Sequence, residues 1–326
     1  MNWELLGHEW AVGQLKEQIV QDRLRHAYLF TGPQGIGRRT LALRLAQALN
    51  CPQPTRPGEP CRTCNTCQQI ERMQHPDLAI VQAEQRGGAL KVDQIRQLQR
   101  SLSLSPYAAR YRVAVFLHFE EANQSAANAL LKTLEEPPAQ VILVVTAESA
   151  ESLLPTIVSR CEVLRLRLLP LDRVIQWLQT TCGLPPEQAL LLAHISGGRP
   201  GYALRLHQEP DLLQRRQAWL DDFSRLLSAS RVERFAYAET LARDKDGLRQ
   251  ALFTWLSLWR DVLLKSAGSA APVANLDRVE EIESLATRVG VEAAHRFAAG
   301  LENTLNLVEG NVNPRLATEV LLLDLP

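Results

Sequence analysis

The sequence predicts a parallel α/β domain of the phosphate-loop type with an inserted cysteine module, followed by a small helical lid and a wholly helical C-terminal domain. Three observations carry this. The segment Gly32-Pro33-Gln34-Gly35-Ile36-Gly37 lies between an apolar run and a segment apolar at helical spacing, the strand–loop–helix setting that a phosphate loop requires. Near-continuous apolar runs then alternate with helical patterns, which indicates a sheet covered on both faces. Beyond Pro170 the β signal disappears. The expected boundaries are 1–169 for the α/β domain with its cysteine module at 51–67, 170–209 for the lid and 210–326 for the helical domain.

The elements follow in order. His26 to Phe30 enters the glycine loop as a strand, and Arg38 to Leu49 leaves it as a helix. After the cysteines, Gln68 to Met73 predicts a short helix opening just past Cys67. Asp77 to Val81 reads as a second strand. Val92, Ile95, Leu98 and Leu102 mark a helix over 92–104. Tyr111 to Phe119 is strongly β-prone, Ser125 to Glu135 is helical, and Pro137-Pro138 stops it. Gln140 to Thr146 is a fully apolar strand, and Glu162 to Leu168 is a last one after a short helix ending near Arg160. Val174 to Thr180 and Glu187 to His194 predict two lid helices. From Pro210 the pattern is helical, broken mainly at Gly268 to Pro272 and Asn311 to Pro314.

A chain of 326 residues with zero formal net charge is ordinary for a globular protein and lacks the global basic field of a dedicated nucleic-acid binder. No apolar run reaches the ~18–20 residues needed to span a membrane, and the start Met1-Asn2-Trp3-Glu4 does not have the form of a signal peptide. The expectation is a cytoplasmic protein, without membrane association, whose six cysteines are mostly reduced.

Cys51, Cys61, Cys64 and Cys67 have metal-ligand spacing, and thiolates on tight loops converge readily on one tetrahedral Zn²⁺. Disulfides or free surface thiols are the alternatives; a reducing compartment favours structural zinc. Cys182 and Cys161 have no partners at such spacing and read as packed residues.

The stretch Ser125-Ala126-Ala127-Asn128-Ala129-Leu130-Leu131-Lys132-Thr133-Leu134-Glu135-Glu136-Pro137-Pro138 resembles the signature of the AAA+ clamp-loader subunits of bacterial DNA polymerase III. Ser159-Arg160-Cys161, the inserted four-cysteine module and His26-Ala27-Tyr28-Leu29-Phe30-Thr31-Gly32-Pro33 are similar to the same family. The spacer between Cys51 and Cys61 is one residue longer than the family's usual form, which a surface loop absorbs at little cost. The resemblance covers about the first 200 residues; the C-terminal helices fit the family's oligomerising collar only by length and helicity. It implies a subunit of a hetero-pentamer with γ/τ and δ subunits, which opens the β sliding clamp and closes it on primed DNA.

Four positions bear on whether such a subunit hydrolyses ATP. A working phosphate loop continues with Lys and then Ser or Thr, to reach the outer phosphates and hold Mg²⁺; here Arg38 and Arg39 stand there. Thr40, about 100° further around the helix, does not replace the hydroxyl. By the resemblance, the strand's Asp-Glu pair aligns with Leu117 and His118, and the lid arginine that reads the γ-phosphate aligns with Gly201. Glu120 and Glu121 fall beyond the strand and read as a solvated helix start. The expectation is a non-hydrolysing stator. The loop (Gly32, Gly35, Gly37, with Arg38 and Arg39 adding positive charge) remains able to hold phosphate or sulfate, but tight ATP binding is not expected.

Arg160, within Ser159-Arg160-Cys161, is by the same resemblance an arginine finger that completes a neighbouring subunit's ATP site in trans, against the plainer reading of a charge offsetting a helix end. Lys91 and Arg96 match a pattern that lines the DNA channel in related subunits; a solvated helix face is the equal alternative. A γ/τ-type ATPase is disfavoured by the lost catalytic positions, and a free-standing zinc nucleic-acid binder by neutral charge and the long helical C-terminus.

Overall fold

The computed structural model describes residues 3–84, 88–310 and 312–326, and the chain divides into two compact units: residues 1–170 with Gly198–Tyr202, and residues 171–197 with 203–326. Met1, Asn2 and Asn311, the last at an expected break, lie outside the described residues. The helices of the expected lid and collar fall in the second unit, while the short turn Gly198–Tyr202 belongs to the first.

The first unit runs α1 (Glu9–Val20), β1 (Ala27–Thr31), α2 (Arg38–Asn50), α3 (Asn65–Glu71), β2 (Leu78–Val81), α4 (Val92–Leu102) and β3 (Arg112–Phe116). It continues through a 3₁₀ turn at Phe119–Glu121, α5 (Gln124–Glu135), β4 (Val141–Ala147), α6 (Pro155–Val158) and β5 (Glu162–Arg165). All strand pairs are parallel, in the order β2-β3-β4-β1-β5. Because side chains alternate along a strand, each strand feeds two cores. Tyr28, Phe30, Val113, Val115 and Val144 pack with Leu15 of α1, Leu41 and Leu45 of α2 and Ile70 of α3. Leu29, Ala114, Phe116, Leu143 and Val145 pack on the other face with Ile95 of α4, Leu130 of α5 and Ile157 of α6. The inner strands β1 and β4 are buried along their whole length because neither face meets water, whereas edge strand β5 keeps charged residues, Glu162 and Arg165, at its two ends.

Several expected boundaries shift, the last strand among them, which ends at Arg165 rather than Leu168. The helix expected from Gln68 begins at Asn65, because Cys64 caps it by accepting the backbone N–H of Cys67. The third strand ends at Phe116 rather than Phe119: His118 adopts left-handed backbone angles, φ 52° and ψ 53°, and turns the chain out of the sheet.

The second unit comprises α7 (Leu171–Cys182), α8 (Pro186–Ser196), most of α9 (Pro200–Gln208), α10 (Pro210–Ser228), α11 (Arg231–Leu241), α12 (Lys245–Ser266), α13 (Val279–Glu309) and α14 (Pro314–Leu323). Its core centres on Phe223, Trp255, Trp259 and Phe297, with ring centroids 4.7–6.0 Å apart. Breaks beyond those expected fall after Ser228 and after Leu241. Another lies at Gly290, whose φ of 75° and ψ of 171° interrupt α13 in a conformation that favours glycine.

A degenerate phosphate loop and a four-cysteine centre

The glycine loop leaves the C-terminal end of β1, an interior strand between β4 and β5. Gly32, Gly35 and Gly37 all have positive φ, so the chain curls tightly into the N-terminus of α2. Gly201 approaches this loop directly: its N–H donates to Gly35 O at 2.8 Å. A Cβ at Gly201 would lie 2.8 Å from Gly35 O, and one at Gly35 2.8 Å from Tyr202 N. Position 201 is therefore a backbone contact, and an arginine there would force the turn off the loop.

The two arginines of the loop diverge. Arg38 is 5% exposed and its Nη1 lies 3.9 Å from Glu120 Oε1, while Arg39 is exposed and donates to Met73 Sδ at 3.2 Å. Only Arg38 keeps its charge at the loop. Glu120 is also misread as a solvated helix start. The left-handed turn at His118 swings it inward, where its carboxylate is only 20% exposed, 3.9 Å from Arg38 and 3.6 Å from His118 Nδ1. Burial pushes the Glu120 pKa up, but the nearby His118 and the Arg38 charge outweigh it and hold the group below its usual value. Burial pulls Arg38 below its usual value against the opposing pull of Glu120 and Glu148. Arg199 of the turn is likewise pulled down by burial, opposed by Tyr202 and by the same Glu148. Leu117, the position that by the family resemblance aligns with a metal-binding carboxylate, is 5% exposed in the core. Sequence reasoning missed Glu120, Glu148 and Arg199; only Glu120's closeness to the strand end offered any signal.

Cys51, Cys61, Cys64 and Cys67 converge, with all four Sγ atoms within 4.8 Å of one another. Tetrahedral zinc with bonds near 2.3 Å needs sulfurs about 3.8 Å apart, so the set fits. Backbone N–H groups of Cys61, Cys64 and Cys67 point at the sulfurs of Cys51, Cys61 and Cys64 at 3.3–3.4 Å, the donors that stabilise metal-bound thiolates. The four cysteines can hold a metal ion such as zinc. The module is anchored to the domain as well. Trp3 Nε1 donates to Gly58 O at 3.0 Å, Glu59 pairs with Lys16 of α1, and Arg62 pairs with Glu4. Beneath it, buried Arg44 pairs with Glu71 of α3.

Arg160 follows α6 at a helix end. Its Nη1 donates to Thr156 O at 2.8 Å, and its Nη2 lies 2.8 Å from Glu135 Oε1 at the end of α5. Neighbouring Cys161 is partly buried, and burial pushes its thiol up to about 12, as fits a packed residue. Lys91 and Arg96 are both exposed, each near one carboxylate: Glu84 at 3.9 Å and Asp93 at 3.7 Å. Lys91 is the N-cap residue of α4, with extended backbone angles, and Arg96 lies inside the helix.

A five-stranded parallel sheet in this order, with a glycine loop leaving the interior strand β1 and opening a helix, has the architecture of an AAA+ domain. The family described as DNA polymerase III, delta subunit, matches residues 7–170, and that described as DNA polymerase III, delta subunit, C terminal, matches residues 210–326. The chain belongs to this family of DNA polymerase III subunits. Among its relatives, DNA polymerase III subunit delta′ of Pseudomonas aeruginosa is 38% identical over 194 residues, 59% of this chain and 58% of that protein. Subunit delta′ of Bacillus subtilis is 29% identical over 95% of this chain and 93% of its own length. Subunit gamma/tau of Mycobacterium bovis is 29% identical over 97% of this chain but only 59% of its own length. The chain thus spans less than two thirds of two of these three relatives. No helix among the described residues is long and apolar enough to cross a membrane.

Proposed function

We propose that this chain is the non-hydrolysing δ′ stator of the bacterial DNA polymerase III clamp loader. The observation that carries the reading is Leu117, a buried core residue where hydrolysis needs a Mg²⁺ ligand. Arg38 at the lysine position and the backbone contact of Gly201 on Gly35 support it. In this reading residues 170–209 act as the lid and 210–326 as the collar that joins γ/τ and δ subunits in a hetero-pentamer. The complex acts on the β clamp and primed DNA in the cytoplasm. Arg160 serves an adjacent γ/τ subunit as its arginine finger, and the four cysteines hold one structural Zn²⁺. Lys91 and Arg96, both exposed, are candidates for DNA phosphate contact.

The test combines assembly and turnover. The protein should co-purify with γ/τ and δ as a pentamer by intact mass, and alone should hydrolyse no ATP above background with or without DNA. Arg38→Lys with Arg39→Thr should not restore turnover, since Leu117 and His118 still leave the metal unsupported. Turnover by the clean wild-type chain, or a stable monomer with no affinity for either partner, would overturn the reading.

A further inference from the structure

Arg38 is a buried cation with an unanswered nitrogen. Its Nη1 finds no hydrogen-bond partner among the described residues, and neither does the buried Glu120 Oε2. The two groups face each other across 3.9 Å, at the outer limit of an ion pair and too far for a hydrogen bond. They meet beside a glycine loop of positive φ at the N-terminus of a 13-residue helix, a setting whose backbone N–H groups favour an anion. The anion that faces Arg38 is the Glu120 carboxylate, turned inward by the left-handed His118, whose Nδ1 lies 3.6 Å from it.

We propose that Glu120 takes the place of an oxyanion at this loop, so that the chain excludes phosphate-class ligands for as long as that carboxylate is present. Two negative groups cannot share one buried guanidinium without repelling each other. Removing Glu120 leaves Arg38 a buried cation with only the pull of Glu148 to offset it at the N-terminus of α2, and an external phosphate or diphosphate then neutralises the remainder. The inference rests on the reading of this loop as non-hydrolysing and adds what occupies it. Glu120 here is a positioning and excluding residue, since it touches no substrate.

The probe is inorganic pyrophosphate without Mg²⁺, titrated calorimetrically into the full chain. Glu120→Ala and Glu120→Gln should each bind it at least about tenfold more tightly than wild type. Adding Arg38→Ala to Glu120→Ala should remove that gain, which a merely loosened fold would not do. Equal binding by wild type and both variants, or no gain in either variant, overturns the proposal. Wild-type protein supplies a reading independent of the variants' folding: its thermal midpoint should not move with pyrophosphate, and a saturable rise overturns the proposal. ATP turnover by wild type would instead sink the stator reading, so the two failures are distinguishable.

Discussion

Arg160 Nη2 lies 2.8 Å from Glu135 Oε1, joining the Ser-Arg-Cys segment to the end of the Ala-Asn-Ala-Leu-Leu helix. The two stretches that most resemble the clamp-loader family are thus tied together by one exposed ion pair. Its position fits both readings of Arg160: the guanidinium does cap a helix carbonyl, and at 35% side-chain exposure it is still accessible to a partner.

Arg160→Ala should therefore leave the isolated chain folded, with a stability change below about 1 kcal/mol, the usual ceiling for such surface pairs. In a reconstituted pentamer, assembly should persist by gel filtration. Clamp- and DNA-stimulated ATPase should fall in part, because one site loses its finger while the others keep theirs. An assembled variant with unchanged ATPase and clamp loading would reduce Arg160 to a helix-end charge.

Elemental analysis should find one Zn²⁺ per chain, and Cys64→Ser should lower that occupancy. Metal removal should disturb more than the module, because Gly58 accepts from Trp3 and Glu59 pairs with Lys16. Hydrogen exchange should accelerate in α1 on chelation. Exchange confined to residues 51–67 would show that the anchoring contacts do not depend on the metal.

Asp77 should be a pH-dependent clamp on the loop before β3. Its buried carboxylate accepts the N–H groups of Tyr107, Ala108 and Ala109 at 2.7, 2.8 and 2.9 Å, with Arg112 Nε at 3.6 Å. Burial pushes its pKa up, but these donors outweigh that and hold it below its ordinary value. A lowered folded pKa means stability that is present above the unfolded value of about 3.9 and lost as pH falls through the folded one. Asp77→Asn should cost about 2–3 kcal/mol near neutral pH. Thermal melts of the two proteins should converge below about pH 4; a gap that widens on acidification would contradict this sign.

In the second unit, Asp261 should be the most sensitive polar residue. It is fully buried and accepts from Ala274 N, Asn275 N and Asn275 Nδ2 at 2.7–2.8 Å, while Asn275 Oδ1 and Asp277 receive buried Arg216. Asp261→Ala strands several buried donors and should cost about 3 kcal/mol or more. Denaturant melts check this; a loss below about 1 kcal/mol would mean that water replaces the carboxylate.

By itself the sequence determined the elements. Apolar runs of strand length, a glycine loop opening a helix and four cysteines at ligand spacing are local patterns, and local sterics or valence read them directly. That Leu117 stands where catalytic relatives carry a metal ligand is what the family resemblance implies; only its inability to bind Mg²⁺ is read from the side chain itself. Tertiary structure decided where the charged side chains went. Arg38 and Arg39 are adjacent in sequence, yet one is buried at the loop and the other reaches Met73, because successive helix positions lie about 100° apart. Glu120 reads as solvated until the left-handed residue His118, which no spacing rule anticipates, swings it toward Arg38. Gly201 reads as a missing arginine until the turn that carries it meets Gly35 backbone to backbone, a contact between residues far apart in the chain that only the folded domain creates.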